Sequence, residues 1–108
     1  MKILLTGASG QLGRELTPLL TNLGSLTRVD RDVLPGDSGM LRRDLGEPQS
    51  VRNLLDEIQP DLVVNAAAYT AVDAAEDHPE TAFLVNEELP ANLAGWAAAN
   101  DAFVVHYS

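Results

Sequence analysis

Gly7, Gly10 and Gly13 stand at three-residue intervals in the stretch Thr6-Gly7-Ala8-Ser9-Gly10-Gln11-Leu12-Gly13. Backbone amides in such a segment can hold an anion, and the chemistry they suit is retention of a dinucleotide pyrophosphate. Gly7 would allow a tight turn, Gly10 close approach of the phosphates to the backbone, and Gly13 close packing of a helix on a sheet. The spacing is G-x-x-G-x-x-G rather than the older G-x-G-x-x-G fingerprint. Taken alone, these glycines also fit a strand-to-helix turn that binds nothing. Asp30 lies about twenty residues further on, where a dinucleotide site needs a carboxylate for the adenosine ribose hydroxyls. Arg31 follows and could instead meet a 2′-phosphate, so NAD against NADP stays open; the pair also reads as a solvated turn. Asp44 and Leu45 are a second pair that would read the adenine amino group and cover the ring, or form a plain loop.

These residues need elements to place them. Ile3, Leu4 and Leu5 form a short apolar run, the pattern of a strand buried on both faces. Leu12, Leu16, Leu19 and Leu20 then recur at helical spacing, predicting a helix from Gln11 to Asn22 with Gly24 as its stop and a kink at Pro18. Ser25 to Asp30 reads as a strand, Arg31 to Gly39 as a loop, and Met40 to Arg43 as a short third strand. Pro48 opens a helix whose stripe is Val51, Leu54, Leu55 and Ile58, and Gln59-Pro60 closes it. Asp61 to Asn65 is the next buried strand. It runs into Ala66-Ala67-Ala68, whose small side chains let a flat ligand approach the backbone. A helical region is expected from Pro79 to Asn100, broken at Pro90, with Asn86 near the break. Ala102 to Tyr107 is the last strand. This alternation predicts an α/β fold, a Rossmann-like doubly wound parallel sheet, incomplete at its C-terminal side, with residues 1–108 as one NAD(P)-binding unit.

Composition narrows the function classes. The net charge of −9 argues against nucleic acid or an anionic membrane as partner. It does not exclude an anionic nucleotide, which helix amides and local basic residues can bind. The chain has no cysteine, hence no disulfide and no thiolate metal site, as suits a cytoplasmic protein. No apolar run approaches the ~20 residues of a membrane span. The N-terminus does not read as a signal peptide.

The glycine stretch resembles the T-G-x-x-G-x-x-G of extended short-chain dehydrogenases. Within that class, Val64-Asn65-Ala66-Ala67-Ala68-Tyr69-Thr70-Ala71-Val72-Asp73, Ala75-Glu76 and His106-Tyr107-Ser108 resemble the dTDP-4-dehydrorhamnose reductases over the whole chain. That family reduces the 4-keto group of a dTDP-6-deoxyhexulose to dTDP-L-rhamnose with NADPH or NADH, for bacterial surface polysaccharide. The resemblance implies that Gly10, Gln11 and Leu12 hold the pyrophosphate, Asp30 the ribose, and Asp44 with Leu45 the adenine. Ala67, Ala68, Tyr69 and Thr70 would line the nicotinamide-side ribose, closed by Tyr107. Asn86 matches an asparagine that supports the catalytic lysine. Glu15 matches a glutamate that in some members joins a magnesium site at a homodimer interface, although a lone helix glutamate is more often a solvated charge.

The reaction needs a proton donor as well as a hydride. In the family the donor is the tyrosine of a Tyr-x-x-x-Lys pair, whose lysine lowers the phenol pKa from its usual ~10. No such pair occurs here: Tyr69 is followed four residues on by Asp73, and Lys2 is the sole lysine. The hydroxyl that polarises the keto oxygen aligns just after Ser108. The dTDP-sugar-binding part would also lie beyond this sequence, so the 108 residues are expected to lack reductase activity on their own. They are also expected to associate, because the last strand would leave a bare edge and an uncovered apolar face. Other readings remain: a nucleotide-sugar epimerase or dehydratase, a non-catalytic NADP-binding module like the beta subunit of methionine adenosyltransferase, or a truncated product without function.

Overall fold

The computed structural model describes residues 1–31, 36, 39–67 and 87–107. Their order is β1 (Lys2–Thr6), α1 (Gln11–Thr21), β2 (Ser25–Asp30), β3 (Met40–Arg42), α2 (Pro48–Ile58), β4 (Leu62–Asn65), α3 (Leu89–Ala99) and β5 (Phe103–His106). The strands form one sheet in the order β3-β2-β1-β4-β5, and every neighbouring pair is parallel. Order reverses between β1 and β4, the switch point outside which α/β sheets bind ligands.

The two sheet faces bury separate clusters, because successive strand residues point to opposite sides. Leu4, Val29 and Val63 pack against Val51, Leu54 and Leu55 of α2 and Leu89 and Leu93 of α3. Ile3, Leu5 and Val64 face the other way, toward Leu20 of α1, with Ala8 and Met40. Helices on both faces are the doubly wound arrangement expected from the sequence. At the start of the sheet Asp61 is clamped to Lys2: Lys2 N–H donates to Asp61 Oδ2 at 2.7 Å and Asp61 N–H to the Lys2 carbonyl at 2.8 Å.

Glu47 caps α2 by accepting from the Gln49 amide at 2.9 Å, Pro48 occupies its first turn, and Gln59 ends it at φ 49. Helix α1 runs through Pro18 from Gln11 to Thr21. One expected helix stop turns out differently. Gly24 is not the left-handed stop of α1, since Gly7 and Gly36 are the glycines with positive φ among the described residues. A Cβ at Gly24 would lie 2.3 Å from the Met1 carbonyl oxygen, so a close chain crossing requires this glycine. Pro90 sits in the first turn of α3, with Glu87 and Glu88 before it in a π-helical turn. The expected helix before residue 87 lies outside the described residues.

Among the described residues, strand β5 is at the edge of the sheet. Register pairs Leu62 with Phe103 and Val64 with Val105, which places those two β5 residues on the α1 side. Phe103 is 77% exposed and Val105 43%, so α1 does not reach them and the uncovered apolar face is present. No helix among the described residues is long and apolar enough to cross a membrane.

Candidate functional site

Parallel register brings the carboxyl ends of all five strands to one edge. Thr6 aligns with Val29 and with Asn65, Asn65 with His106, and Asp30 with Arg42. The glycine segment leaves β1 there. Its first amides fold back on β2: Gly7 N–H donates to the Val29 carbonyl at 3.0 Å and Ala8 N–H to the same oxygen at 3.2 Å.

The three glycines divide by what the protein itself demands. Gly7 has φ 77, and a Cβ there would lie 2.4 Å from the Ala67 amide nitrogen. A Cβ on Gly13 would lie 2.3 Å from the Gly7 carbonyl oxygen, so α1 could not seat on the loop. Gly10 differs. Its φ of −73 and ψ of 172 suit any residue, and a Cβ there meets nothing nearer than the Gly7 carbonyl oxygen at 3.6 Å. It is exposed at the start of α1, offers no side-chain cap, and no acidic residue lies in the first turn. Gln11 and Leu12 open the helix beside it, exposed and half-buried respectively. An anion approaching the start of α1 would meet no Cβ at Gly10 and could reach the helix amides.

Asp30 closes the adjacent side. Its Oδ2 accepts from Ser9 N–H at 3.0 Å and Ser9 Oγ–H at 2.5 Å, and its Oδ1 accepts from Arg31 N–H at 2.7 Å. Arg31 is half-buried next to it. Asp44, past β3, is exposed and accepts from Gly46 N–H through Oδ1 at 3.0 Å. Leu45, expected to cover an adenine ring, points inward instead: it is 2% exposed and belongs to the core with Leu4 and Val29.

Ala67 follows β4 against Gly7, and Tyr107 follows β5 with its amide donating to the Asn65 carbonyl at 3.0 Å. Ala68, Tyr69, Thr70, Asn86 and Ser108 lie outside the described residues. Glu15 is exposed on α1, and no three His, Cys, Asp or Glu residues among those described are grouped to hold a metal.

Sequence reading passed over the polar centre of this edge. Thr6 and Asn65 are both fully buried. Asn65 Oδ1 accepts from Thr6 Oγ–H at 2.6 Å and Ala67 N–H at 3.1 Å, while its Nδ2 meets His106 Nδ1 at 2.9 Å. One side chain thus ties β1, the β4 exit and β5. The available signal was an amide residue at the end of an apolar strand, which must find partners if buried.

The chain matches the RmlD substrate binding domain model over residues 1–108. It belongs to that family. The RmlD-family chain is 44% identical over 108 residues to a dTDP-4-dehydrorhamnose reductase of Burkholderia thailandensis, covering all of this chain and 33% of that protein. It spans about a third of the length of such curated relatives. A solved dTDP-4-dehydrorhamnose reductase of Clostridium acetobutylicum superposes with TM-score 0.76 at 35% identity, over 96% of this chain and 34% of that one. One from Bacillus anthracis, in complex with NADP, gives TM-score 0.72 at 27% identity, over 95% of this chain and 34% of that one. For the RmlD family member described here, the switch-point edge is accordingly the place to look for function.

Proposed function

We propose that this chain is the dinucleotide-binding part of an NAD(P)H-dependent dTDP-4-dehydrorhamnose reductase. The observation that carries the reading is Gly10. The fold makes no use of a glycine there, since neither backbone angle nor packing requires one, whereas a pyrophosphate resting on the helix amides does. Gln11, Leu12 and Gly13 would supply those amides. Asp30 and Arg31 would face the adenosine ribose, and Asp44 with the backbone of Leu45 the adenine. Ala67 and Tyr107, with Ala68, Tyr69 and Thr70, would line the nicotinamide-side ribose.

The bound nicotinamide supplies a hydride; the residues of this chain bind and orient it. The 4-keto group of a dTDP-sugar is the substrate this reading names, in a cytoplasmic protein that pairs as a homodimer. These 108 residues contain no Tyr-x-x-x-Lys to deliver the proton, so on their own they are expected to bind cofactor without turning it over.

The test is titration of the protein with NADPH and NADH, followed by fluorescence of the reduced nicotinamide, for the native sequence and Gly10→Val. Binding that the valine weakens by more than about tenfold, in a protein that still unfolds cooperatively, supports the reading. Absence of binding to either nucleotide would overturn it.

A further inference from the structure

Asp30 is not a free carboxylate waiting for a ribose. A carboxylate has about four acceptor positions, two on each oxygen. Oδ2 has both taken, by the Ser9 amide at 3.0 Å and the Ser9 hydroxyl at 2.5 Å. Among the described residues Oδ1 receives one donor, the Arg31 amide at 2.7 Å. Ser9 belongs to the glycine segment and Asp30 to the end of β2, so the contact joins the phosphate side of the edge to its ribose side.

We propose that Ser9 is a specificity-determining residue for the adenosine 2′ position, an inference that rests on the dinucleotide reading above. Two consequences follow from the occupancy of Oδ2. A ribose cannot grip both carboxylate oxygens through vicinal hydroxyls and is left with Oδ1 alone, so the 2′-hydroxyl form gains less than an open aspartate would give it. Two donors on Oδ2 also spread its negative charge, so a 2′-phosphate is repelled less than by an unbonded carboxylate. Both effects act in the same direction: the Ser9 clasp narrows the difference between 2′-hydroxyl and 2′-phosphate ligands. Asp30 supplies the charge, and Ser9 sets how much of it the ligand meets.

The experiment uses ADP-ribose and 2′-phospho-ADP-ribose, which carry the half of the cofactor that Asp30 faces. Each is titrated calorimetrically into the protein, into Ser9→Ala, Ser9→Thr and Asp30→Asn, with urea unfolding to confirm that each variant is folded. Losing the hydroxyl in Ser9→Ala is expected to raise the ratio of the two Kd values, phosphorylated over unphosphorylated, by about three- to tenfold. Ser9→Thr keeps a hydroxyl and is expected to hold the ratio within about twofold of the native one, while Asp30→Asn lowers it because the charge is gone. If both ligands bind but Ser9→Ala leaves the ratio unchanged, or weakens both in step, Ser9 is only a loop tether and the inference falls while the dinucleotide reading stands. An unmoved ratio in Asp30→Asn would sink it likewise, and native protein that binds neither ligand would remove both.

Discussion

Asn65 and His106 meet side chain to side chain across β4 and β5, Nδ2 to Nδ1 at 2.9 Å. The direction of this bond is set two residues away in sequence. Ala67 N–H can only donate, and it donates to Asn65 Oδ1 at 3.1 Å, so the amide nitrogen must be the atom facing histidine. His106 Nδ1 therefore accepts, and the ring carries its proton on Nε2. Nitrogen-15 spectra of the ring are expected to show that tautomer in the native protein and to lose the preference in Asn65→Ala. A ring that is Nδ1–H in the native protein would contradict the bond.

The same asparagine bears on stability. It is fully buried, and its oxygen satisfies Thr6 Oγ–H and the Ala67 amide. Asn65→Leu would strand the Ala67 amide, at about 1–3 kcal/mol, and leave Thr6 Oγ–H only its longer contact to the Val64 carbonyl at 3.5 Å. Urea unfolding is expected to show a loss of about 1–3 kcal/mol, more than His106→Ala produces, because histidine is exposed and its loss leaves only the Nδ2 amide to be hydrated.

The glycines are expected to separate by function in a simple substitution series. Gly7→Ala and Gly13→Ala force a Cβ to within 2.4 and 2.3 Å of backbone atoms that cannot move alone. Each is expected to cost more than about 2 kcal/mol or prevent folding. Gly10→Ala makes only an ordinary van der Waals contact at ordinary φ and is expected to change stability by less than about 1 kcal/mol, in either sign. Equal losses at all three positions would mean that Gly10 serves the fold after all.

The β5 face is expected to govern any association of these 108 residues. Phe103 and Val105 stand exposed beside Leu62 and Val64 on the side that α1 leaves uncovered. Phe103→Lys with Val105→Thr is expected to shift sedimentation toward monomer while unfolding free energy moves by less than about 1 kcal/mol. Association that survives the double substitution would have to be placed on another surface.

Core truncation provides a reference scale. Leu54 is 1% exposed in the cluster that joins α2 and α3 to the sheet. Leu54→Ala is expected to cost about 2–5 kcal/mol in urea unfolding, against less than about 0.5 kcal/mol for a polar change at exposed Gln49.

What the sequence determined by itself was local in origin. The glycine turn, the start of α2 at Pro48, its Val51-Leu54-Leu55 stripe and the buried β1 and β4 runs each depend on neighbours a few positions away, and so they were legible. The alternation of these elements was enough to specify a parallel sheet. Tertiary structure decided the rest, because those choices are made by atoms far apart in the chain. Gly24 is glycine on account of the Met1 backbone rather than the end of α1. Leu45 faces the core rather than a ligand because Leu4 and Val29 lie beneath it. Ser9 reaches Asp30, and Asn65 reaches His106, across 21 and 41 residues of sequence, and no spacing rule encodes contacts made by strand register. Only the folded sheet could show that Gly7 is held by the backbone leaving β4, at Ala66 and Ala67, and Gly13 by the turn at Gly7 and Ala8, while a Cβ at Gly10 meets no close neighbour.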